Sequence, residues 1–439
     1  MRILATTDGW PTMLLARSGE ADAEPTLEAA ESQGAWATWR RALSAMSPDE
    51  VTGVVHDAAL RGRGGAGYPT GEKWLACAAQ PSGPRYVVAN GFEADPGAQL
   101  DRTLMERDPH AILEGLALAS YAVDAHQAYV AVKSTSSVAV RRLREAVRAA
   151  EEQRYLGTDI LGSGYDLHVE VRELQGSFVL GEETVLLRAI ENKRAQPDQR
   201  PPYPTERGLF GKPTVVNNVE TLAAVPGIVA DGGEAFTGAG LPSAPGTTLV
   251  QISGAVRQPG IAEVPMGTPL GDVLKLAGAP ARPKAVLVGG PSGGFLPVDA
   301  LDAPIEPGAL AKRGAIWGSG TIVVADDKTC IVDMASVLTR YLNDEACGKT
   351  IPCRIGLRRL AEIGDRFTSG RPRPTDTQLV MDLAADTSDA ALCALESTAT
   401  NPLLSGMRYF MSEFEDHIIR GDCPAGVCRP LRVAAGASR

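Results

Sequence analysis

The stretch Arg61–Trp74 reads RGRGGAGYPTGEKW and contains five glycines. Glycine allows a positive φ and lets a ligand approach the main-chain N–H groups closely. Successive N–H groups, together with the side chains of Arg61, Arg63 and Lys73, would cradle a phosphate. The aromatic residues near the end of the stretch are unusual in flexible linkers. We therefore predict an ordered loop that binds a phosphate-bearing cofactor, with a flexible surface loop as the alternative.

The context of these glycines differs from that of an ordinary dinucleotide-binding fingerprint. Gly62, Gly64 and Gly67 fit the pattern G-x-G-x-x-G, which in the Rossmann fold follows a strand and opens a helix. Here Ser47–Glu50 reads SPDE, a capping box with proline at the first helical position. This predicts a helix that runs to Leu60 just before the glycines, so the ordinary fingerprint is disfavoured.

The composition excludes several classes of protein. The chain has 439 residues, of which 44% are hydrophobic and 22% charged, as in a globular protein of about two to four domains. A net charge of −10 disfavours a nucleic-acid partner. No apolar run is long enough to span a membrane directly, and the first residues lack the pattern of a secretory signal. We expect a cytoplasmic protein.

The first half of the chain alternates between strand-like and helix-like segments. The predicted strand 85–89 ends in the polar loop Asn90–Gly97, and open α/β sheets bind ligands at the carboxyl ends of their strands. Further strands, with amphipathic helices between them, are predicted at 128–132 and 167–171. This order predicts a layered α/β domain. The paired Asn217 and Asn218 would hydrogen-bond a ring or a phosphate, or cap a helix.

The second half changes character twice. The segment 227–245 is rich in glycine, alanine and proline and predicts a domain boundary. Short strands around a helix at 270–277 indicate a small β-β-α-β module. From residue 329 the apolar spacing becomes helical, which predicts a helical bundle.

Seven cysteines are present, and most lie after Cys330, a clustering that in a cytoplasmic protein indicates metal or redox chemistry. Cys347 and Cys353 hold the outer positions of C-x₂-C-x₂-C, a motif that binds a [4Fe-4S] cluster with a distant fourth cysteine. The middle position is Thr350, and Cys393 is the distant candidate. Three cysteines can hold a [3Fe-4S] cluster, or a [4Fe-4S] cluster with a non-cysteine ligand on one iron. The alternative is that no cluster binds.

A second cysteine pair lies near the end of the chain. Cys423 and Cys428 follow His417, and these three residues could bind zinc, although a structural zinc site has four ligands. Either cysteine could instead be the missing cluster ligand, or the two could form a disulfide or stay idle. Cys77 and Cys330 are predicted to be isolated, buried, small hydrophobic residues.

Together these motifs resemble the NADH-binding flavoprotein subunit of respiratory complex I, a family with relatives in NAD-linked hydrogenases and formate dehydrogenases. The resemblance covers roughly residues 45–420 and rests on the segments 61–74, 90–97, 101–121, 181–187, 208–221 and 347–356. It implies an α/β fold with a Rossmann-like FMN- and NADH-binding domain at 46–235, a β-grasp domain of the soluble-ligand-binding type at 246–325, and a helical iron–sulfur domain at 329–439, which we expect to include the C-terminal cysteine pair. We assign residues 1–45 to a separate N-terminal segment.

The resemblance also implies roles for individual residues. Glu183 matches the catalytic carboxylate near the nicotinamide, and Tyr68 and Tyr203 match the aromatics that sandwich the adenine. Asp95 stands where an acidic group repels the 2′-phosphate of NADPH. The residues that match the FMN pocket are Gly64, Gly65, Ala66, Lys73, Asn90, Glu93, Gly181, Glu182, Asn217 and Asn218. The cluster ligands that match are Cys347, Cys353 and Cys393.

Several positions depart from the family pattern. Phe92 replaces a pocket aspartate, and Thr350 replaces a cluster cysteine. Ala94 replaces a serine or glycine, Phe178 a tyrosine, and Ala76 a third aromatic near the adenine. We expect FMN to bind nevertheless, because the glycine loop and the asparagine pair are intact.

The predicted function is NADH oxidation, in which hydride passes to FMN and single electrons then pass through the iron–sulfur cluster to a protein partner. That partner would be an iron–sulfur protein of a complex I-like assembly, a dehydrogenase or hydrogenase module, or a ferredoxin, so a hetero-oligomer is expected. The alternative, motivated by Phe92, Phe178 and Thr350, is a non-catalytic paralogue that serves as a structural or electron-relay scaffold.

Overall fold

The computed structural model describes residues 1–18, 24–429 and 431. Helices cover a four-stranded parallel sheet. A five-stranded mixed sheet and further helices adjoin this parallel sheet. The combination confirms the predicted α/β class. Among the helices of these described parts, none is long and apolar enough to cross a membrane. A cytoplasmic location stays a prediction.

Three helices precede the glycine loop in the chain and one follows it: α1 Leu27–Ser32, α2 Ala37–Ala45, α3 Pro48–Asp57 and α4 Thr70–Ala78. The Ser47 hydroxyl accepts from the Glu50 N–H at 3.3 Å, and the Glu50 carboxylate accepts from the Ser47 N–H at 2.7 Å. The predicted capping box is therefore confirmed. The helix ends before Leu60, because Ala59 has a φ of +52° and cannot continue it.

Four strands form a wholly parallel sheet: β1 Tyr86–Gly91, β2 Gln127–Lys133, β3 His168–Leu174 and β4 Thr214–Asn218. Their order in the sheet is β3-β2-β1-β4. The chain thus runs from β1 toward one edge and returns to place β4 on the other side of β1. Doubly wound sheets bind ligands at such a switch point, at the carboxyl ends of the strands.

Helices connect and cover these strands. Asp108 caps α6 through a hydrogen bond from the Ala111 N–H at 3.0 Å. The buried helix α6 packs closely on α10, and a Cβ at Gly115 would lie 1.9 Å from the Leu222 carbonyl oxygen. The helices of this region are α5 Leu100–Arg107, α6 Pro109–Ala122, α7 Ser137–Glu152, α8 Glu183–Ile190, α9 Pro204–Arg207, α10 Val219–Asp231 and α11 Glu234–Thr237.

The next strands form a two-stranded ribbon and a mixed sheet: β5 Gly240–Leu241, β6 Ala244–Pro245, β7 Thr247–Gly254, β8 Gly260–Pro265, β9 Ala285–Val288, β10 Gly294–Pro297 and β11 Thr321–Ala325. The mixed sheet has the order β10-β9-β11-β7-β8, in which only β11 and β7 run parallel. Two helices accompany it, α12 Leu270–Leu276 and α13 Pro307–Ala311. The predicted β-β-α-β order is present.

The last part of the described chain is helical: α14 Ile331–Glu345, α15 Leu357–Thr368, α16 Asp376–Asp389, α17 Ala394–Thr398 and α18 Asn401–Glu415. Helix α14 packs against α15 and α18, and α18 also packs against strand β10. One hydrophobic cluster includes Phe92 of the first region together with Cys353, Cys393 and Phe414 of the helical region. The helical region therefore shares its core with the parallel sheet.

Candidate functional site

The glycine loop is closed on itself and packed against a neighbouring turn. The Gly62 N–H donates to the Tyr68 carbonyl at 2.9 Å. Gly65 has a φ of +111°, and a Cβ there would lie 3.1 Å from the Gly318 carbonyl oxygen, so a side chain is disfavoured on both grounds. The buried Thr70 hydroxyl at the start of α4 has no hydrogen-bond partner among the described residues. The exposed main chain at Gly64 and Ala66, next to a glycine that tolerates no side chain, fits a bound cofactor.

Arg63 does not serve the loop as predicted. Its buried guanidinium donates to two carbonyl oxygens of segment 245–247, at 2.8 and 3.2 Å, and burial lowers its pKa. Arg61 donates to the carbonyls of Ser243 and Gly67, each at 3.1 Å. The predicted phosphate role is therefore wrong for Arg63, which fastens the glycine loop to the start of the mixed sheet.

Glu183 lies between two cations. Its Oε2 is 3.0 Å from the Lys73 Nζ, and its Oε1 is 3.1 Å from the Arg200 Nη1. Lys73 also donates to the Val216 carbonyl of β4 at 3.0 Å. The carboxylate is thereby oriented at the edge of the parallel sheet, and its side chain is still 23% exposed, so a ligand can reach it. Arg200 was not among the predicted residues.

The two residues just before Glu183 attach the start of helix α8 to the end of β1. The Glu182 carboxylate caps α8 by accepting from two N–H groups of its first turn, at 2.9 and 3.0 Å. Asn90 donates its amide to the Gly181 carbonyl at 3.1 Å. A Cβ at Gly181 would lie 2.9 Å from the Cβ of Ala94, so the two loops touch.

The asparagine pair at the end of β4 faces two different elements. Asn217 accepts from the indole N–H of Trp74 at 2.9 Å, which ties β4 to α4. Asn218 caps α10 through its oxygen, at 2.8 Å from the Glu220 N–H, and donates to Asp101 at 2.8 Å. Of the two predicted alternatives, the helix cap is thus observed for Asn218. A Cβ on Gly64 would lie 3.0 Å from the Asn218 Cβ, so the glycine loop rests on this cap.

The carboxyl groups of Glu93, Asp101 and Glu220 interact through their charges, and Asp101 also accepts a hydrogen bond from Asn218. Glu93, with a φ of +46°, accepts from the N–H groups of Asp101 and Arg102 at 2.9 and 3.4 Å at the start of α5. Burial raises the pKa of Glu93, and the charge of Asp101 adds to the rise. Burial also raises the pKa of Asp101, with the charge of Glu220 adding to it. Burial raises the pKa of Glu220 to about 7, although the nearby Arg63 opposes the change. Burial and mutual repulsion thus both favour the protonated forms of these carboxyl groups.

The two tyrosines predicted to hold adenine are the exposed aromatics of neighbouring elements. Tyr68 and Tyr203 are each 54% exposed. Tyr68 lies in the glycine loop that leads into α4, and Tyr203 immediately precedes α9, which packs against α4. An exposed ring on each of two touching elements suits the stacking of a planar base.

Asp95 is a buried link between the loop after β1 and the mixed sheet. Its Oδ2 accepts from the hydroxyls of Ser319 and Thr321, at 2.6 and 2.9 Å, and its Oδ1 accepts from the Gly97 N–H at 3.0 Å. The carboxylate that is predicted to repel a 2′-phosphate is thus fixed in position by strand β11 and the turn before it.

Packing accommodates two of the departures from the family pattern. Phe92 is fully buried, and the Lys133 Nζ lies 5.6 Å from its ring centroid, a cation–π distance. Phe178 meets Tyr341 edge to face, with ring centroids 6.1 Å apart. The aromatic ring at 92 therefore fills core space.

The predicted cluster cysteines come from two segments of the helical region. Cys353 and Cys393 are buried, and Cys347 is partly exposed. Burial raises the pKa of the Cys353 thiol to about 12, and the charges of Glu396, Cys347 and Cys393 add to the rise. The Thr350 hydroxyl, where the family has a further cysteine, donates to the Glu396 carboxylate. The helical region thus provides three thiols and one carboxylate at this motif, a donor set that fits iron.

A second group of metal-binding side chains is fully buried. Cys330, His417, Cys423 and Cys428 place their ligand atoms within 4.8 Å of one another. The His417 Nε2 lies 3.4 Å from the Cys330 Sγ, and its Nδ1–H donates to the Glu413 carbonyl at 2.7 Å. Hydrogen bonds from Cys428 and His417 lower the pKa of the Cys330 thiol. The prediction that Cys330 is isolated is therefore wrong, because it supplies the fourth ligand that the C-terminal trio lacked.

Three family models match separate ranges of the chain. The Nuo51 FMN-binding domain matches residues 55–227, the SLBB domain matches 249–296, and the NADH-ubiquinone oxidoreductase-F iron-sulfur binding region matches 333–417. The last range contains the three predicted cluster cysteines. It leaves out Cys330, Cys423 and Cys428.

Relatives match over most of the chain. The HndC subunit of the NADP-reducing hydrogenase of Solidesulfovibrio fructosivorans is 41% identical, over 88% of this chain and 79% of the relative. The second NADH-quinone oxidoreductase F subunit of Rhizobium meliloti is 40% identical, over 90% of this chain and 94% of the relative. An NAD⁺-reducing [NiFe]-hydrogenase in the H₂-reduced state has a TM-score of 0.82 and 31% identity, over 95% of this chain and 70% of the other. These matches confirm the resemblance, and the chain belongs to the family of flavin-binding, iron–sulfur proteins that includes the F subunits of NADH-quinone oxidoreductases.

Proposed function

We propose that this chain oxidises NADH as one subunit of a larger oxidoreductase. Hydride passes from NADH to FMN, and single electrons pass through an iron–sulfur cluster to a protein partner. The observation that carries the proposal is the convergence between β1 and β4, where the glycine loop, Asn90, Asn218 and the Lys73–Glu183 pair meet. The non-catalytic scaffold is not favoured, because the family matches cover both the FMN-binding and the iron–sulfur regions.

The finer division of the fold belongs to the proposal. A Rossmann-like domain at 46–235 would hold FMN, a β-grasp domain at 246–325 would follow it, and a helical domain at 329–439 would hold the cluster. The parallel sheet, the mixed sheet and helices α14–α18 support this division, since each lies inside one of these ranges.

The chain would bind the phosphate of FMN through the main chain of the glycine loop and through one lysine. Gly64 and Ala66 are exposed in the glycine loop, where their N–H groups would meet the phosphate, and Lys73 would add positive charge. Glu93 and Asn90 would close the same pocket from the end of β1. FMN, when bound, accepts two electrons together and releases them singly. The protein positions the flavin and tunes its reactivity.

Glu183 would orient the nicotinamide. A carboxylate held by Lys73 and Arg200 keeps one geometry and can accept a hydrogen bond from the carboxamide N–H₂ of NADH. Tyr68 and Tyr203 would stack on the adenine. Asp95, fixed by its two hydroxyl donors, would disfavour the extra phosphate of NADPH.

Cys347, Cys353 and Cys393 would hold the iron–sulfur cluster in the helical region, whose core is continuous with that of the parallel sheet. Electrons leaving this cluster need an acceptor outside the chain. An iron–sulfur protein in a hetero-oligomer, or a ferredoxin, would serve. The family's members named above are subunits, which supports an assembly.

The group of Cys330, His417, Cys423 and Cys428 would hold a structural zinc ion. Three thiolates and one imidazole form a closed tetrahedral set, and the hydrogen bond from the His417 Nδ1–H to a carbonyl has the form that orients zinc ligands. The ion would fasten the segment that follows α18 to the start of α14.

The test is an anaerobic preparation assayed for flavin, iron and zinc, followed by reduction of ferricyanide with NADH or NADPH. We expect bound flavin and iron, and activity that prefers NADH. Glu183→Gln should lower this activity while flavin content stays unchanged, and Glu28→Gln, at an exposed site, should leave both unchanged. A preparation that holds flavin and iron yet reduces ferricyanide with neither nucleotide would refute the proposal.

A further inference from the structure

Glu396 lies where the cluster motif lacks a thiolate. Thr350 occupies the middle position between Cys347 and Cys353, and its hydroxyl donates directly to the Glu396 Oε1. The Cys353 N–H in turn donates to the Thr350 hydroxyl at 3.2 Å. Glu396 follows Cys393 by three residues, so the carboxylate reaches the motif from the side of the distant cysteine.

Within the part of the chain that the structure describes, no cation compensates the charge of Glu396. The residue is 1% exposed, and its two oxygens accept from the Thr350 hydroxyl and from the Leu392 N–H at 2.9 Å. None of the described residues forms an ion pair with it. Lys349, which directly precedes Thr350 in the motif, donates instead to the Pro197 carbonyl. A buried carboxylate is costly unless it is paired or binds a metal, so a cation is expected here.

The Glu396 carboxylate also retains the capacity to bind a cation. Its two oxygens offer about four lone-pair positions, and the two hydrogen bonds occupy only part of them. Thr350 donates its hydroxyl hydrogen bond to Glu396, so Thr350 is a positioning residue for this carboxylate. Cys423 and Cys428 are engaged with Cys330 and His417 in the other group, so neither is free to complete the cluster.

We propose that Glu396 is the fourth protein ligand of the iron–sulfur cluster, on the iron that Cys347, Cys353 and Cys393 leave without a thiolate. This inference rests on the iron–sulfur site proposed above. It makes the cluster a four-iron one with a single oxygen ligand, and it assigns to Thr350 the role of holding that ligand in place.

The experiment uses the full chain, enriched in ⁵⁷Fe and purified anaerobically. Iron content and Mössbauer spectra are measured for the unaltered chain, Glu396→Gln and Glu114→Gln. We expect about four irons per chain in the unaltered protein, with one iron site distinct from the rest, and about three in Glu396→Gln. Glu114→Gln changes an equally buried carboxylate far from the motif and should keep four.

A second variant, Thr350→Cys, tests the same ligand position if Glu396→Gln folds poorly. Thr350→Cys restores the thiolate, so in that background Glu396→Gln should keep about four equivalent irons. Three results overturn the inference: a three-iron cluster in the unaltered chain, four irons with equivalent spectra there, or an unchanged spectrum in Glu396→Gln. Absence of iron from every preparation, Thr350→Cys included, would instead overturn the underlying iron–sulfur site.

Discussion

The Lys73 Nζ lies 3.0 Å from the Glu183 Oε2, so a single ion pair joins the helix after the glycine loop to the first turn of α8. Lys73 also reaches the carbonyl of Val216 in β4, and Glu183 also reaches Arg200. Three separate segments thereby fix one carboxylate at the carboxyl end of the parallel sheet. The position of Glu183 depends on this network.

Lys73→Met should weaken NADH use. The change removes one of the two cations that orient Glu183, and the misplacement of a positioning group lowers kcat/KM by roughly tenfold to a hundredfold. Steady-state NADH–ferricyanide kinetics measure the effect. Lys212→Met, at an exposed lysine, is the control. Equal kcat/KM values for the two variants would show that the ion pair has no part in NADH binding.

Gly65→Ala should lower flavin content. The new Cβ would lie 3.1 Å from the Gly318 carbonyl oxygen at a φ of +111°, so the loop must shift away from its present conformation. Gly53→Ala is the matched control, because it lies in helix α3 with open space around it. Flavin absorbance per chain checks the prediction. If Gly65→Ala retains as much flavin as Gly53→Ala, the loop is not the phosphate cradle.

Cys330→Ser should release zinc and lower the melting temperature, since a structural zinc ion needs all four ligands. Metal analysis and thermal unfolding, each with and without a chelator, measure the two effects. Cys77→Ser is the control, because Cys77 is buried in the core of the first region, outside the metal group. Zinc retained in Cys330→Ser would contradict the assignment of this ligand.

Glu220 should make the fold less stable as the pH rises. Its pKa in the folded chain is about 7 against an ordinary 4.5, so the native state keeps a proton that the unfolded chain has lost. The resulting stability is fully present below pH 4.5 and is lost as the pH rises through about 7. Glu220→Gln should remove roughly 2–3 kcal/mol of this pH dependence.

Urea unfolding between pH 5 and pH 8 measures the Glu220 prediction, with exposed Glu234→Gln as the control. A slope of stability against pH that is the same in both variants would mean that Glu220 does not titrate in this range.

Local signals in the sequence predicted much of this architecture. The capping box at Ser47, the strand predicted at 85–89 and the β-β-α-β order are set by contiguous residues, and all are present, although the strand continues through Asn90 to Gly91. The glycine loop is recognisable in the same way, because glycine clustering and the aromatic end of the stretch are visible without any contact information.

The remaining features depend on contacts between distant parts of the chain. Cys330 joins His417 across 87 positions, which no ligand-spacing rule covers. Arg200 reaches Glu183 from a proline-rich loop without periodicity. Arginine is a common phosphate ligand, so the sequence alone favours that role for Arg63. The role is excluded by the contacts of Arg63 with carbonyl groups of segment 245–247, which only the structure shows. A residue's type indicates its possible chemistry, and the fold decides which partner uses it.

The most direct test of NADH oxidation is anaerobic titration of the flavin-loaded chain with NADH, followed by its visible absorbance. We predict that NADH bleaches the flavin band and that the bleaching is slowed in Glu183→Gln. A bound flavin whose absorbance does not change when NADH is added would contradict NADH oxidation by this chain.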